Sequence, residues 1–461
     1  MKWLFAPVSP VPLAIFRIGF GTLMLLSTIR FWLKGWIEEL YIKPKFYFAY
    51  YGFEWVKPLP AYGMYVLFFL VGLSALLIAL GFFYRISTVV FFSSFTYIEL
   101  IDKTNYLNHY YLISLLSFLL VFLPAHCRFS VDAWRSQKVY RKEIPSIYLI
   151  TIQLQLVITY FFAGVAKIHA DWLLEALPLK IWLSVKTDLP VAGWFLQFPE
   201  TAYIFSWAGM FFDLSIGFLL WWKKVRRVAY LFVLIFHVLT AILFPQIGLF
   251  PYIMIVSTLI FFSEKDWQSL AKKINELLFF HSSFQNRSYQ PNINKEQRLE
   301  TTSLQPSHFL VQYKVLKTIL FLLYFAVQLF LPFRYLLYPN DLFWTEEGFR
   351  FSWRVMLIEK TGIAFFTVKD AILGKSIKIN NQGYLTPLQE KMMSTQPDMI
   401  LQFAHFLANT YQQKGLREPE VFVESYVSLN GRSSQLFINP HTNLAKERES
   451  FAPKHWILVK K

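Results

Sequence analysis

MYVLFFLVGLSALLIALGFF, running from Met64 to Phe83, carries no charged side chain. A helix needs about 20 such residues to cross the roughly 30 Å hydrocarbon core of a bilayer. TILFLLYFAVQLFLPF, Thr318 to Phe333, is a second uncharged run of this kind. A helix buried in a soluble core would be shorter and would have amphipathic neighbours. The composition agrees. Apolar residues make up 55% of the chain and charged residues only 16%, where a soluble domain carries about a quarter.

Working outward from these runs, nine apolar blocks fall at 11–32, 62–83, 87–101, 108–123, 144–168, 201–222, 228–243, 249–262 and 310–337. The third, fourth and eighth are short, so the reading predicts eight or nine spans. The first has no small-residue cleavage site and is not a signal peptide. The fold class is therefore mainly α: a polytopic helical membrane part followed by a small α+β region. The expected domains are 1–262 in the membrane, a polar connection at 263–309, a last span at 310–337, and a soluble domain at 338–461. Segment 285–305 is rich in Asn, Gln and Ser and reads as a flexible linker.

Cations set the orientation. With a cytoplasmic N-terminus, the inner loops hold Arg85, Arg128, Arg135, Lys138, Arg141 and Lys142. They also hold Lys223, Lys224, Arg226, Arg227 and the basic residues of 263–309. Pro245–Gly248, on the other side, has none. Nine spans then put the C-terminal domain outside the cytoplasm. The net charge of +16 follows from this asymmetry, and no basic stripe or motif points to nucleic acid. Cys127 is the only cysteine, so neither an internal disulfide nor a cysteine metal cluster can form. No two histidines stand at i, i+4 beside a carboxylate, as a histidine metal site would require.

In the tail, 376–379 and 421–429 alternate as strands, and Asn430-Gly431 before 435–438 reads as a tight hairpin. Residues 387–413 read as one helix.

Ionisable groups inside spans mark function by default. Asp102-Lys103 and Asn108-His109 sit in an outer turn, and Lys167 ends its span with Tyr160 and Gln153 on the same face. Asp213 lies between Gly209 and Gly217, and His237 in the outer half of its span. The predicted directions bring His109, Lys167 and His237 to one depth, which implies a single polar cavity opening outward. Each group also has a plainer reading. Lys167 can snorkel beside Asp171, Lys103 can pair with Asp102 in an exposed turn, and Arg17 can snorkel to the inner interface. The histidines and Asp213 can serve helix packing.

At these residues the chain resembles the vitamin K-dependent gamma-glutamyl carboxylase family, in its shorter bacterial form. The matching stretches are FRIGFG (16–21), LIDKT (100–104) with Asn108-His109, SVD (130–132), YFFAGVAK (160–167) with ADW (170–172), and DLSIGF (213–218). Further along come Phe236-His237, LF (243–244) with IG (247–248), QLFLP (328–332), Trp344-Thr345 with FSW (351–353), and VSLNGR (427–432). The resemblance implies a carbon–carbon lyase that oxygenates vitamin K hydroquinone to the epoxide. It couples this step to γ-carboxylation of protein glutamate with CO2. It implies vitamin K hydroquinone, O2 and CO2 as co-substrates, no metal, and partners in a glutamate-containing peptide and a membrane quinone. It places the chain in a bacterial inner membrane.

By the same resemblance Lys167 and His109 are catalytic, with Lys167 deprotonating the hydroquinone. Asn108 and His237 match residues of the substrate and quinone site, and Asp213, Tyr160, Trp344 and Trp353 are expected to bind substrate or quinone. Lys103 does not match the catalytic lysine. An ordinary lysine is protonated near neutral pH, so a lysine base needs burial away from a paired carboxylate. The departures are Ala166 where animal enzymes have a second lysine, His169 in place of an acidic residue, no disulfide, and a shorter chain. The alternatives are an uncoupled quinone epoxidase and a non-catalytic transporter or scaffold.

Overall fold

The computed structural model describes residues 2–190, 193–278 and 308–460. All nine apolar blocks are helical. Six helices are long and apolar enough to cross a membrane, namely Val11–Leu33, Ala61–Leu80, Ile147–Val165, Pro199–Trp221, Arg226–Leu243 and Val315–Leu337, while Asn108–Phe122 and Phe250–Phe261 are shorter. Tyr84–Ile101 completes the nine. The side chains on the outside of this bundle are apolar: Leu26, Phe69, Leu76, Phe211, Phe232, Leu320 and Leu323 all stand exposed. Only lipid covers such a surface without cost.

Ile147–Val165 is the most enclosed of the six, 78% buried, because neighbours pack on several sides of it. Pro199–Trp221 packs closest to it, and glycines make that approach possible. A Cβ on Gly164 would lie 2.7 Å from the Leu214 backbone nitrogen, and one on Gly217 would lie 3.0 Å from Val157 Cα.

The C-terminal region is α+β, with a four-stranded antiparallel sheet in the order 376–378, 360–370, 419–429, 435–436. The long central strand Lys360–Asp370 is absent from the sequence reading. Ala364, Phe366 and Val368 point into the core, but outward-facing Ile363 and Phe365 are apolar too, so no alternation shows. The expected 387–413 helix is two, Pro387–Met393 and Pro397–Gln413. Pro397 cannot continue the first, and instead starts the second. The hairpin is looser than expected. Asn430 and Gly431 form a left-handed turn, but pairing resumes only at Val427 with Gln435. Glu264–Leu278 is an amphipathic helix, whereas the expected linker at 285–305 lies outside the described residues.

Two readings of single residues change. Arg17 is fully buried and donates to the Phe129 carbonyl, because the turn at Gly81 and the 129–132 loop close over it; it does not snorkel. Lys103 is 2% exposed and pairs not with Asp102 but with Asp398, at 2.7 Å, an acid that Arg350 also holds at 2.7 Å. Asp102 instead accepts from Thr104 N and Gln389 Nε2. The C-terminal region covers this turn and removes it from solvent. Phe46 and Phe48, from the first long loop, insert into its core.

Two predictions follow from this docking. Burial pushes the Asp398 carboxyl up, but Arg350 and Lys103 outweigh it and hold the group well below the usual carboxylate range. A carboxyl depressed on folding contributes its full stability above the unfolded value of about 3.9 and loses it as pH falls toward the folded value. Docking of the C-terminal region should therefore hold unchanged from pH 7 to 5, and Asp398→Asn should loosen it already at pH 7. Hydrogen exchange at Lys103–Asn105 reads this, and equal protection in variant and wild type would refute it. Reporters placed after Lys461 and within Lys223–Arg227 should report opposite membrane faces, and the same face for both would refute the bundle's direction.

Candidate active site

The Ile147–Val165 helix ends beside its own last turn, and Lys167 follows one residue past the cap. Its Nζ donates to Asp213 Oδ2 at 2.6 Å and to the Ala163 carbonyl at 3.2 Å. Both side chains of the pair are under a tenth exposed. The Trp172 ring covers the amine, with its centroid 5.5 Å from Nζ. Lys167 is thus a lysine with a paired carboxylate, contrary to the sequence reading. The close glycine contacts put Asp213 at its level, one turn from Gly217. Asp171, the acid expected to compete, turns away. It receives Arg432 through two bonds of 2.8 Å and Asn430 Nδ2 at 2.7 Å. Burial raises the Asp171 carboxyl, but Arg432 and Asn430 outweigh that and hold it below its ordinary value.

Tyr160 lies seven residues back from Lys167, about 10 Å deeper by helical rise. Its hydroxyl shares a 2.9 Å hydrogen bond with His237 Nε2. His237 is fully buried, and its Nδ1 has no partner. Phe212, Phe236 and Phe250 wall this pair. Phe212 stacks on Phe236 at 4.1 Å, and His237 meets Phe250 edge-on at 5.7 Å. His109 lies on the far side of Phe250, at 6.2 Å. Gln153 is not part of the cluster: it donates to the Ile260 carbonyl and accepts from Trp221.

Lys167, His109 and His237 do not line one cavity together, and separate spaces lie on two sides of the 351–356 chain. One, of about 570 Å³, is lined by Ala166, Ile168, His169 and Asp171 and by residues of 332–343; the Lys167 amine points away from it, to Asp213. The other, of about 200 Å³, is lined by Lys103, Asn108, His109, Phe250 and Arg350. The chain at 351–356 divides them. Asn108 Nδ2 donates to the Arg354 carbonyl at 2.8 Å, so Arg354 faces the larger space while Val355 and Met356 face the smaller. Phe351, Trp353 and Met356 all adopt left-handed backbone, a costly geometry that clusters at functional sites. Trp353 packs on Tyr111 at 5.0 Å, and Trp344 donates to the Leu458 carbonyl. Both are buried, and neither lines the two cavities. Sequence reasoning passed over Glu99, an acid within Tyr84–Ile101, and the left-handed cluster, which has no sequence signal because those residues are not glycine.

Two family models match the chain. One, described as HTTM domain, covers residues 5–267, and the other, described as vitamin K-dependent gamma-carboxylase, lumenal domain, covers residues 313–461. No solved structure matches.

Removing one member of a buried ion pair leaves the other charged and unpaired, at a cost of about 3–5 kcal/mol. Lys167→Met and Asp213→Leu should each lower the thermal stability of the detergent-solubilised protein strongly. The double variant should recover most of the loss. If the double variant instead shows the sum of the two single losses, the pair is not coupled.

Proposed function

The chain belongs to the vitamin K-dependent gamma-carboxylase family through its HTTM domain and its lumenal domain, and from that premise we propose that it couples hydroquinone epoxidation to glutamate carboxylation. The observation that supports this best is the sealed Lys167–Asp213 pair, set above a histidine with one free ring nitrogen. Vitamin K hydroquinone, when bound, supplies with O2 the strong base that takes the γ-proton of a peptide glutamate, which then adds CO2.

The residues fit such a molecule. His237 Nδ1, which has no partner, would hold one of its oxygens while Tyr160 fixes Nε2, and Phe250, which also lines the smaller cavity, would meet its fused ring. Lys167 takes the proton of a hydroquinone hydroxyl at Nζ. This requires a neutral amine, and Asp213 provides for it by accepting the lysine's proton at Oδ2 across the 2.6 Å bond. Trp172 keeps water from the amine. The ion pair is thus a proton relay rather than an obstacle to a lysine base.

The glutamate reaches the chemistry by the smaller cavity, where Asn108 and His109 stand beside the cations Lys103 and Arg350. Peptide and C-terminal region then share the extracytoplasmic face of a bacterial inner membrane, with the quinone arriving from lipid. The Asn430-Gly431-Arg432 turn, bound to Asp171 four residues past Lys167, ties the two halves of the reaction together.

The assay is purified protein with reduced vitamin K, O2, labelled bicarbonate and a glutamate peptide, scoring epoxide and fixed CO2 separately. Lys167→Ala, assayed at an equal amount of folded protein, should abolish both products. Arg432→Ala should lower the ratio of fixed CO2 to epoxide, as should Asn108→Ala and His109→Ala. Epoxide formation by Lys167→Ala at the wild-type rate would overturn the assignment of the base, and wild-type protein that makes epoxide but fixes no CO2 would establish the uncoupled enzyme.

A further inference from the structure

The larger cavity contains a cation that no described residue neutralises. Arg354 is 6% exposed and lines this space. Its Nη1 reaches only the carbonyls of Pro332 and Ser352, at 3.5 and 3.4 Å, and its buried Nε has no partner. The guanidinium stacks over Tyr335 at 4.6 Å, but it forms no ion pair among the described residues. Both carboxylates of the cavity are already paired: Asp171 with Arg432 at 2.8 Å, and Asp341 with Lys460, a cation of the same walls, at 3.4 Å. A second orphan lies in the same walls, the buried Nε2 of His169, on a ring tilted against Phe343 at 4.5 Å. A buried, unpaired cation is expensive, and leaving a donor unbonded adds to the cost.

The remaining walls say what kind of anion would fit. Phe162, Val165, Phe333 and Leu336 are apolar. The rim residues Ile168, Phe333 and Leu336 stand 56%, 42% and 68% exposed, on the surface that lipid covers. A free inorganic anion would meet these walls with nothing to bury against them. The volume, about 570 Å³, lies within the roughly 300–1,000 Å³ of small-molecule sites.

We propose that this cavity binds an anionic phospholipid of the adjoining leaflet. Its phosphate sits against the Arg354 guanidinium and the His169 ring, and an acyl chain lies along Phe162, Phe333 and Leu336. Basic pockets at the ends of membrane helices hold acidic headgroups by the same physics. The inference goes beyond the catalytic reading and does not depend on it.

The test uses full-length protein, delipidated in neutral detergent and titrated with four probes while thermal stability and native mass are followed. The probes are phosphatidylglycerol, phosphatidylcholine with the same chains, oleate and inorganic phosphate. Phosphatidylglycerol should be retained and should raise the unfolding temperature, with the other three much weaker. Arg354→Gln should weaken its retention by about tenfold or more, the value of a charge-assisted hydrogen bond, and Arg354→Lys should restore part of it. If Arg354→Gln does not fold, the headgroup comparison on the wild-type protein decides. Equal binding of the two phospholipids, undiminished binding by Arg354→Gln, or oleate or phosphate binding as tightly as phosphatidylglycerol would overturn the proposal. So would competitive displacement of phosphatidylglycerol by a neutral hydroquinone, which would assign the cavity to the quinone.

Discussion

A lysine ammonium and a carboxylate 2.6 Å apart, shut between apolar helices, can persist only if the two helices keep one register. Each ion loses hydration worth several kcal/mol, and their attraction recovers it only in good geometry. Gly164 and Gly217 supply that geometry because a Cβ on either would stand only 2.7 or 3.0 Å from the backbone of the facing helix. Much else hangs from this contact. Trp172 donates to the Ser206 carbonyl and accepts from Ser206 at its own, which folds the chain after Lys167 over the pair. A rotation of Pro199–Trp221 would break the pair, uncover the amine and release that fold together.

The C-terminal region is held to the bundle by charge as well as by packing. Asp398 meets Lys103 and Arg350, Asp171 meets Arg432, and Trp182 donates to Glu359 at 2.6 Å. These contacts sit on either side of the strained 351–356 chain. The same segment separates the two cavities and lends its Arg354 carbonyl to Asn108. Movement of the C-terminal region would therefore be felt at both cavities.

The membrane architecture was legible because hydrocarbon imposes it residue by residue. Every block read from uncharged length, Met64–Phe83 first, is a helix, and Lys167, Asp213, Tyr160 and His237 stood out singly as polar groups where polar groups are costly. In the C-terminal region, Pro419–Leu429 was legible from alternation and Lys360–Asp370 was not, because its outward side chains are apolar as well. Pro397 was in plain view, but its effect depended on whether the chain turned there.

What the sequence determined by itself is the inventory: spans, ionisable groups within them, and a soluble tail. Which groups meet was decided only by tertiary structure. Asp213 and not Asp171 is the partner of Lys167, Lys103 is buried against Asp398, and His109 lines a cavity that Lys167 does not. Those choices turn on how closely two helices approach at glycines and on which loop the C-terminal region covers. They are contacts between residues up to 295 positions apart, which local pattern does not encode.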